Sequence, residues 1–300
     1  MRATRAFTLV EVLVAASLTL VLAGIMLGVI GSALEGWRRT QDSYTTRSQA
    51  AMVLDQIERD LQSAVFRADG KTWLAIDVDY ALTGHGWQTS GTLKPSRLEL
   101  LPERGGMLRI DEAKFGRTGA WLRLITADVR TTGAATLPIA VSYQVVRRST
   151  SSGTPVNRET IRYLLFRSVE DGGAVLERGN DVTLHDAEFD GPSLPDVFAT
   201  QVIDFGVWLY RRETSGTLTR IFPATTDDRS HVANGAASAP DVADVMVRIL
   251  TDQGATMIAA IEQGRLAPPA GISMDEWWWR IAAEHSHTYV RRIAMQGGAR

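Results

Sequence analysis

The 300-residue chain has no cysteine. That excludes disulfides, thiolate metal sites and cysteine nucleophiles together. It does not exclude export, because a chain of this length can bury enough core to fold without covalent staples. Lysine is scarce: Lys71, Lys94 and Lys114 stand against 29 arginines, an imbalance we read as genomic base composition. Charge of one sign is lacking too. The net charge of -2 gives no reason to expect a nucleic-acid partner, which usually shows as a basic stripe. No H-E-x-x-H, G-x-S-x-G or phosphate-cradling glycine loop is present, so no catalytic residue, enzyme activity, cofactor or metal is expected. The hydrophobic fraction of 45% and charged fraction of 22% are those of an ordinary globular protein. The length fits one large domain or a domain with an appendage.

What the chain does have is a long apolar run near its start. Met1 to Ala6 reads MRATRA, with Arg2 and Arg5 as its only charged side chains. Phe7 opens an apolar stretch that ends at Leu34, and Val12 to Leu34 gives 23 consecutive uncharged residues. About 20 such residues span a bilayer as a helix. The flanking arginines set the N-terminus in the cytoplasm and the remaining chain outside, a single pass through the inner (cytoplasmic) membrane. Glu35, Arg38 and Arg39 mark the far boundary. A secretory signal peptide has a shorter apolar region closed by a small-residue cleavage site. AASL at 15–18 is a weak site of that kind, and the run continues well past it. Glu11 is the sole charge inside the stretch. A carboxylate at the bilayer centre costs about 2.5–3.5 kcal/mol on insertion scales, and less near an interface. Placement alone leaves two readings of Glu11 open: an interfacial charge one turn from the headgroups, or a paired functional group.

The order Ala6-Phe7-Thr8-Leu9-Val10-Glu11-Val12-Leu13-Val14-Ala15 closely resembles the type III signal of prepilins and pseudopilins, the type IV pilin-like superfamily. The resemblance implies cleavage between Ala6 and Phe7 by a membrane-embedded aspartyl peptidase, the prepilin peptidase, and N-methylation of Phe7. Ala6 stands where the family usually has glycine, and alanine is small enough to be tolerated. The resemblance also implies a docking role for Glu11: its carboxylate pairs with the free amine at Phe7 of a neighbour already in the filament. Each charge is costly alone in an apolar core, and pairing removes most of that cost. Implied partners are other pilin or pseudopilin subunits, the prepilin peptidase, the inner-membrane assembly platform and the lipid bilayer.

The helical signal continues past the membrane. From Gln49 to Arg67 the chain reads QAAMVLDQIERDLQSAVFR, with Ala50, Val53, Leu54, Ile57, Leu61, Ala64 and Val65 at the spacing of one helical face. Glu58 with Gln62, and Asp55 with Arg59, are i,i+4 pairs, and Asp69-Gly70 supplies a stop signal. A helix from Phe7 to Arg67 would run roughly 90 Å. Gly24 and Gly28 form a GxxxG pair, read either as a close-packing face or as local softening. No proline lies near Gly28. The expected division is a leader at 1–6, a transmembrane and filament-core helix at 7–34, its amphipathic continuation at 35–70 and a β-rich extracytoplasmic head at 71–300.

In the head, alternating runs predict strands at Trp73–Val78, Arg97–Leu101, Trp121–Thr126, Ile139–Val146, Thr160–Arg167, Val202–Tyr210, Val242–Leu250 and Thr288–Met295. Ser149 to Arg158 should join the fourth and fifth as a hairpin. The order Val141–Val145, Arg158–Arg162, Val202–Tyr210 and Asp241–Leu250 after Pro240 is similar, more weakly, to the J-class minor pseudopilins of type II secretion. The expected fold is α+β, a long N-terminal helix packed on an antiparallel sheet. The expected function is that of a structural minor pilin or pseudopilin in a type II secretion or type IV pilus-like filament. The competing reading is a membrane-anchored extracytoplasmic enzyme or binding protein with an uncleaved anchor.

His285 and His287 are spaced to share a strand face, but no third metal ligand lies nearby, so the strand rim is the simpler reading. Asp186, Glu188 and Asp190, or Asp227 and Asp228, lack the glycine-punctuated spacing of a calcium loop and read as solvated turns. Trp277-Trp278-Trp279 cannot all face one core in a strand or a helix. At least one is expected at a loop, a partner or the membrane surface, unless the segment forms an irregular buried cap.

Overall fold

A computed structural model describes residues 8–67, 69–80, 93–101, 108–127, 137–150, 161–235 and 237–295, with only the backbone at 35 and 38–40. The chain divides into two compact units, residues 1–45 and 46–300. The first is built from the opening turns of α1 (Leu9–Gln62). Its Leu9–Leu34 stretch is long and apolar enough to cross a membrane, and none of it is buried. The helix passes Gly24, Gly28 and Gly31 without a break.

In the second unit, α1 buries Ala50, Val53, Leu54, Ile57 and Leu61, the face its periodicity marks. It ends earlier than its apolar pattern suggests. The Val65 N–H donates to the Ile125 carbonyl at 2.9 Å, the Ala127 N–H to the Ser63 carbonyl at 3.0 Å, and Ala64 bridges Thr126. Residues 63–65 therefore leave the helix to satisfy backbone groups at the end of a strand, which a further helical turn could not do.

Among the described residues twelve strands follow: β1 (Leu74–Val78), β2 (Leu98–Glu99), β3 (Lys114–Phe115), β4 (Ala120–Ala127), β5 (Pro138–Ser149), β6 (Ile161–Glu170), β7 (Val197–Thr200), β8 (Val202–Arg212), β9 (Leu218–Phe222), β10 (Ser230–Ala233), β11 (Val242–Leu250) and β12 (Ser286–Ala294). All eight predicted strands are present. Short helices α2 (Gly172–Glu177) and α3 (Asp186–Phe189) lie between β6 and β7, and α4 (Asp252–Glu262) and α5 (Met274–Glu284) between β11 and β12. The sheets have the orders β10-β1-β4-β5-β6-β7, β12-β11-β8-β9 and β2-β3, and their pairs are antiparallel, the β5–β6 hairpin included.

Alternation along β4 shows how the larger sheet is covered on both faces. Ala120, Leu122 and Leu124 join the main core with α1 and β8, while Trp121 and Ile125 pack with Val175, Val182 and Phe189 from the α2–α3 region. The second half of α1 touches an edge strand of each large sheet. Gln49 Nε2 donates to the Thr200 carbonyl at 2.8 Å, and the hydroxyls of Thr46 and Tyr289 lie 3.0 Å apart. Arg291 pairs with Glu58 at 2.8 Å and with Asp55. Asp55 is thus engaged across the fold rather than by Arg59, which donates to Gln56. The Glu58–Gln62 contact forms as expected, at 3.2 Å. The protein is a mixed α+β molecule: a long, initially apolar helix followed by antiparallel sheets.

Candidate assembly site on the N-terminal helix

The first turn of α1 is organised around Glu11. Thr8 precedes the helix, and both its backbone N–H and its hydroxyl donate to Glu11 Oε2 at 3.0 Å. The Glu11 N–H donates back to Thr8 Oγ1 at 3.3 Å. This is a capping box: a Thr at the N-cap and a Glu three residues on satisfy each other's free amides. A negative side chain in the first turn also complements the helix dipole. The spacing Thr8-x-x-Glu11, passed over in the sequence as a helix-start signal, accounts for where α1 begins. It also gives the carboxylate a partner within its own chain. Ala6 and Phe7 lie outside the described residues.

Further along, a Cβ added at Gly24 or at Gly28 would meet nothing within 4 Å. With no side chain at either position and no neighbour against them, this stretch of backbone is open to close approach by another helix.

The head holds several buried charged groups. Its buried charges serve the fold. Asp60, on the underside of α1, accepts from Arg167 at 2.9 and 3.1 Å and from Tyr143 and Gln56. Glu262 on α4 accepts from Arg147 at 2.7 Å, from Trp278 at 3.2 Å and from Tyr163. Burial pushes the Glu262 carboxyl above its ordinary pKa, and those three donors oppose the shift. Lys94 is fully buried with Asp204 at 3.0 Å and donates also to the Ile203 carbonyl. Burial lowers the Lys94 ammonium's pKa, and Asp204 opposes that shift. The cleft between β6 and α4, beside Glu262, has a volume of about 20 Å³, room for about one water and too little for a substrate.

The features singled out in the sequence resolve differently from one another. His285 caps the C-terminus of α5 while His287 lies in β12, so they do not share a strand. Asp186 pairs with Arg123 and Glu188 with Arg178, which supplies their counter-charge. Asp228 accepts from the Thr225 backbone at 3.1 Å and its hydroxyl at 2.9 Å, a turn role. Among the described residues no group of three or more His, Cys, Asp or Glu is placed to hold a metal.

The tryptophans are buried, as the buried-cap reading expected, but the segment that carries them is a regular helix and not an irregular cap. Trp277, Trp278 and Trp279 all lie on that helix, α5. One core face could not take all three, but α5 is covered on more than one side. Trp278 meets Tyr163 edge-on and bonds Glu262. Trp279 lies under Lys94, Lys114 and Arg248, 5.2–5.8 Å from its ring centre.

Comparison with known families matches residues 1–27 to the prokaryotic N-terminal methylation motif. Searches of curated proteins and of solved structures return no match. The matched stretch holds the capping box and most of the apolar run, and it supports a type IV pilin-like protein. A motif of this kind implies processing by prepilin peptidase and assembly with other pilin subunits. Together with the apolar helix it supports membrane anchoring. The proteins that carry the motif are structural subunits rather than enzymes.

Proposed function

We propose that the chain is a minor pilin or pseudopilin, a structural subunit of a type II secretion or type IV pilus-like filament. It is cleaved between Ala6 and Phe7, methylated on the new amine of Phe7 and docked through Glu11. The carrying observation is the contiguous order Ala6 to Ala15, with Glu11 fixed at the first turn of an exposed apolar helix. In this reading residues 1–6 are the leader and Leu9–Leu34 spans the inner membrane with the N-terminus cytoplasmic. The head then stands outside the cytoplasm, and Gly24 and Gly28 offer a helix-packing face. The size of the head favours a minor over a major subunit. The order of β5, β6, β8 and then β11 after Pro240 supports kinship with the J-class minor pseudopilins, and so a place in a secretion pseudopilus.

The test is mass spectrometry of the protein extracted from membranes of cells with an active prepilin peptidase. The expected species begins at N-methyl-Phe7. Intact Met1 would favour the uncleaved anchor instead, and a start near Ser17 would favour an ordinary signal peptide.

A further inference from the structure

The helix remains regular past Leu34, and the first aromatic residue beyond the apolar stretch, Trp37, is 71% exposed. Its indole Nε1–H donates to Gln41 Oε1 at 3.0 Å, one turn further from the apolar stretch. Tyr44, seven residues on and on the same helical face, is 75% exposed. A tryptophan has an apolar body and one wet donor, the combination that settles at membrane–water interfaces. Here Gln41 already holds the donor toward the polar side.

We propose that Trp37 seats among the phospholipid headgroups of the extracytoplasmic leaflet and fixes the depth of α1 in the bilayer. The proposal rests on the membrane-spanning reading of Leu9–Leu34. Helical rise places Trp37 about 39 Å from Glu11. The hydrocarbon layer is about 30 Å thick, and about 40–45 Å with its headgroups. With the indole at one headgroup layer, Glu11 and its Thr8 cap reach the opposite one. A shift of one turn in either direction draws one polar group into hydrocarbon: the Trp37–Gln41 pair or the Glu11 carboxylate. Trp37 and Glu11 together therefore bracket the span.

The full chain reconstituted into phosphatidylcholine–phosphatidylglycerol vesicles tests this. The acyl chains are brominated either near the headgroup or near the bilayer centre, and fluorescence quenching is compared between the wild type and Trp37→Phe. The difference isolates Trp37 from the other tryptophans. It should be quenched more strongly by the shallow bromines than by the deep ones, and Trp37→Phe should lose that quenching. Equal quenching in both proteins, or stronger quenching by the deep bromines, would overturn the proposal. So would protection from both lipids together with cross-linking between copies, which would assign the ring to a subunit contact. Alkaline extraction of the same vesicles separates the two levels of the argument. Release of the chain would overturn the spanning reading and the anchor with it, whereas retention with an unquenched Trp37 would overturn the anchor alone.

Discussion

Glu262 is only 4% exposed, and it is kept in the folded head by donors from three elements: Arg147 on β5, Tyr163 on β6 and Trp278 on α5. Replacing a buried ion pair by apolar groups is often neutral, but removing one partner strands the other. Glu262→Ala would remove the Glu262 carboxylate from beside the buried Arg147 guanidinium, itself 3% exposed. The expected loss is about 3–5 kcal/mol of head stability. Glu262→Gln keeps an acceptor for Tyr163 and Trp278, so it should lose less. Urea denaturation of both variants against an exposed control, Glu213→Ala, measures the difference. If Glu262→Ala lost no more than the control, the carboxylate would be ornamental to the fold. At this scale the sequence was least informative. Arg147, Tyr163, Glu262 and Trp278 are up to 131 residues apart in the chain, and no local pattern announces that they converge.

Elements were easier to read where one face repeats. The α1 face from Ala50 to Leu61 and the alternation of β5 follow from period alone. The misses have two physical causes. Residues 63–65 carry a helical pattern but are drawn away by the backbone of β4, a tertiary demand invisible to periodicity. Helices α4 and α5 fell between predicted strands, yet their starts were marked. Thr251 accepts from the Gly254 N–H at 3.1 Å and Ser273 from the Glu276 N–H at 3.2 Å. Ser273-x-x-Glu276 repeats the spacing of Thr8-x-x-Glu11, the capping-box signature. Edge strands β7, β9 and β10, with 4 or 5 residues each, were also missed. The α1 face also makes a prediction for the element itself. A fragment beginning at Thr46 keeps the buried stripe and the Asp60–Arg167 pair, so it should be soluble and folded. One beginning at Ala68 loses both and exposes the apolar side of the sheet, and should unfold or aggregate. Near-ultraviolet circular dichroism with urea titration compares them, and equal stability of the two fragments would refute the role given to α1.

For the whole molecule the question is whether Glu11 caps its own helix or docks the subunit, and the two roles differ in size and in charge. Capping contributes about 0.5–2 kcal/mol and needs only an acceptor. Leaving a neighbour's amine buried and unpaired in an apolar filament core costs several kcal/mol and requires the negative charge to relieve it. Glu11→Gln separates them, because an amide oxygen can still accept from Thr8 while carrying no charge. Glu11→Val removes both functions at once. Either variant takes the only charge out of the span, so insertion into the membrane should be as good or better. Cleavage should also survive, since Ala6 and Phe7 are untouched. If docking is the role, the two variants should fail alike: cleaved protein is recovered from the membrane, but little of it co-purifies with partner pilins. If capping is the role, Glu11→Gln should behave as wild type and Glu11→Val alone should be impaired. Cleaved Glu11→Gln that incorporates at wild-type levels would therefore leave Glu11 as a helix cap and move the search for the docking contact to the open face at Gly24 and Gly28.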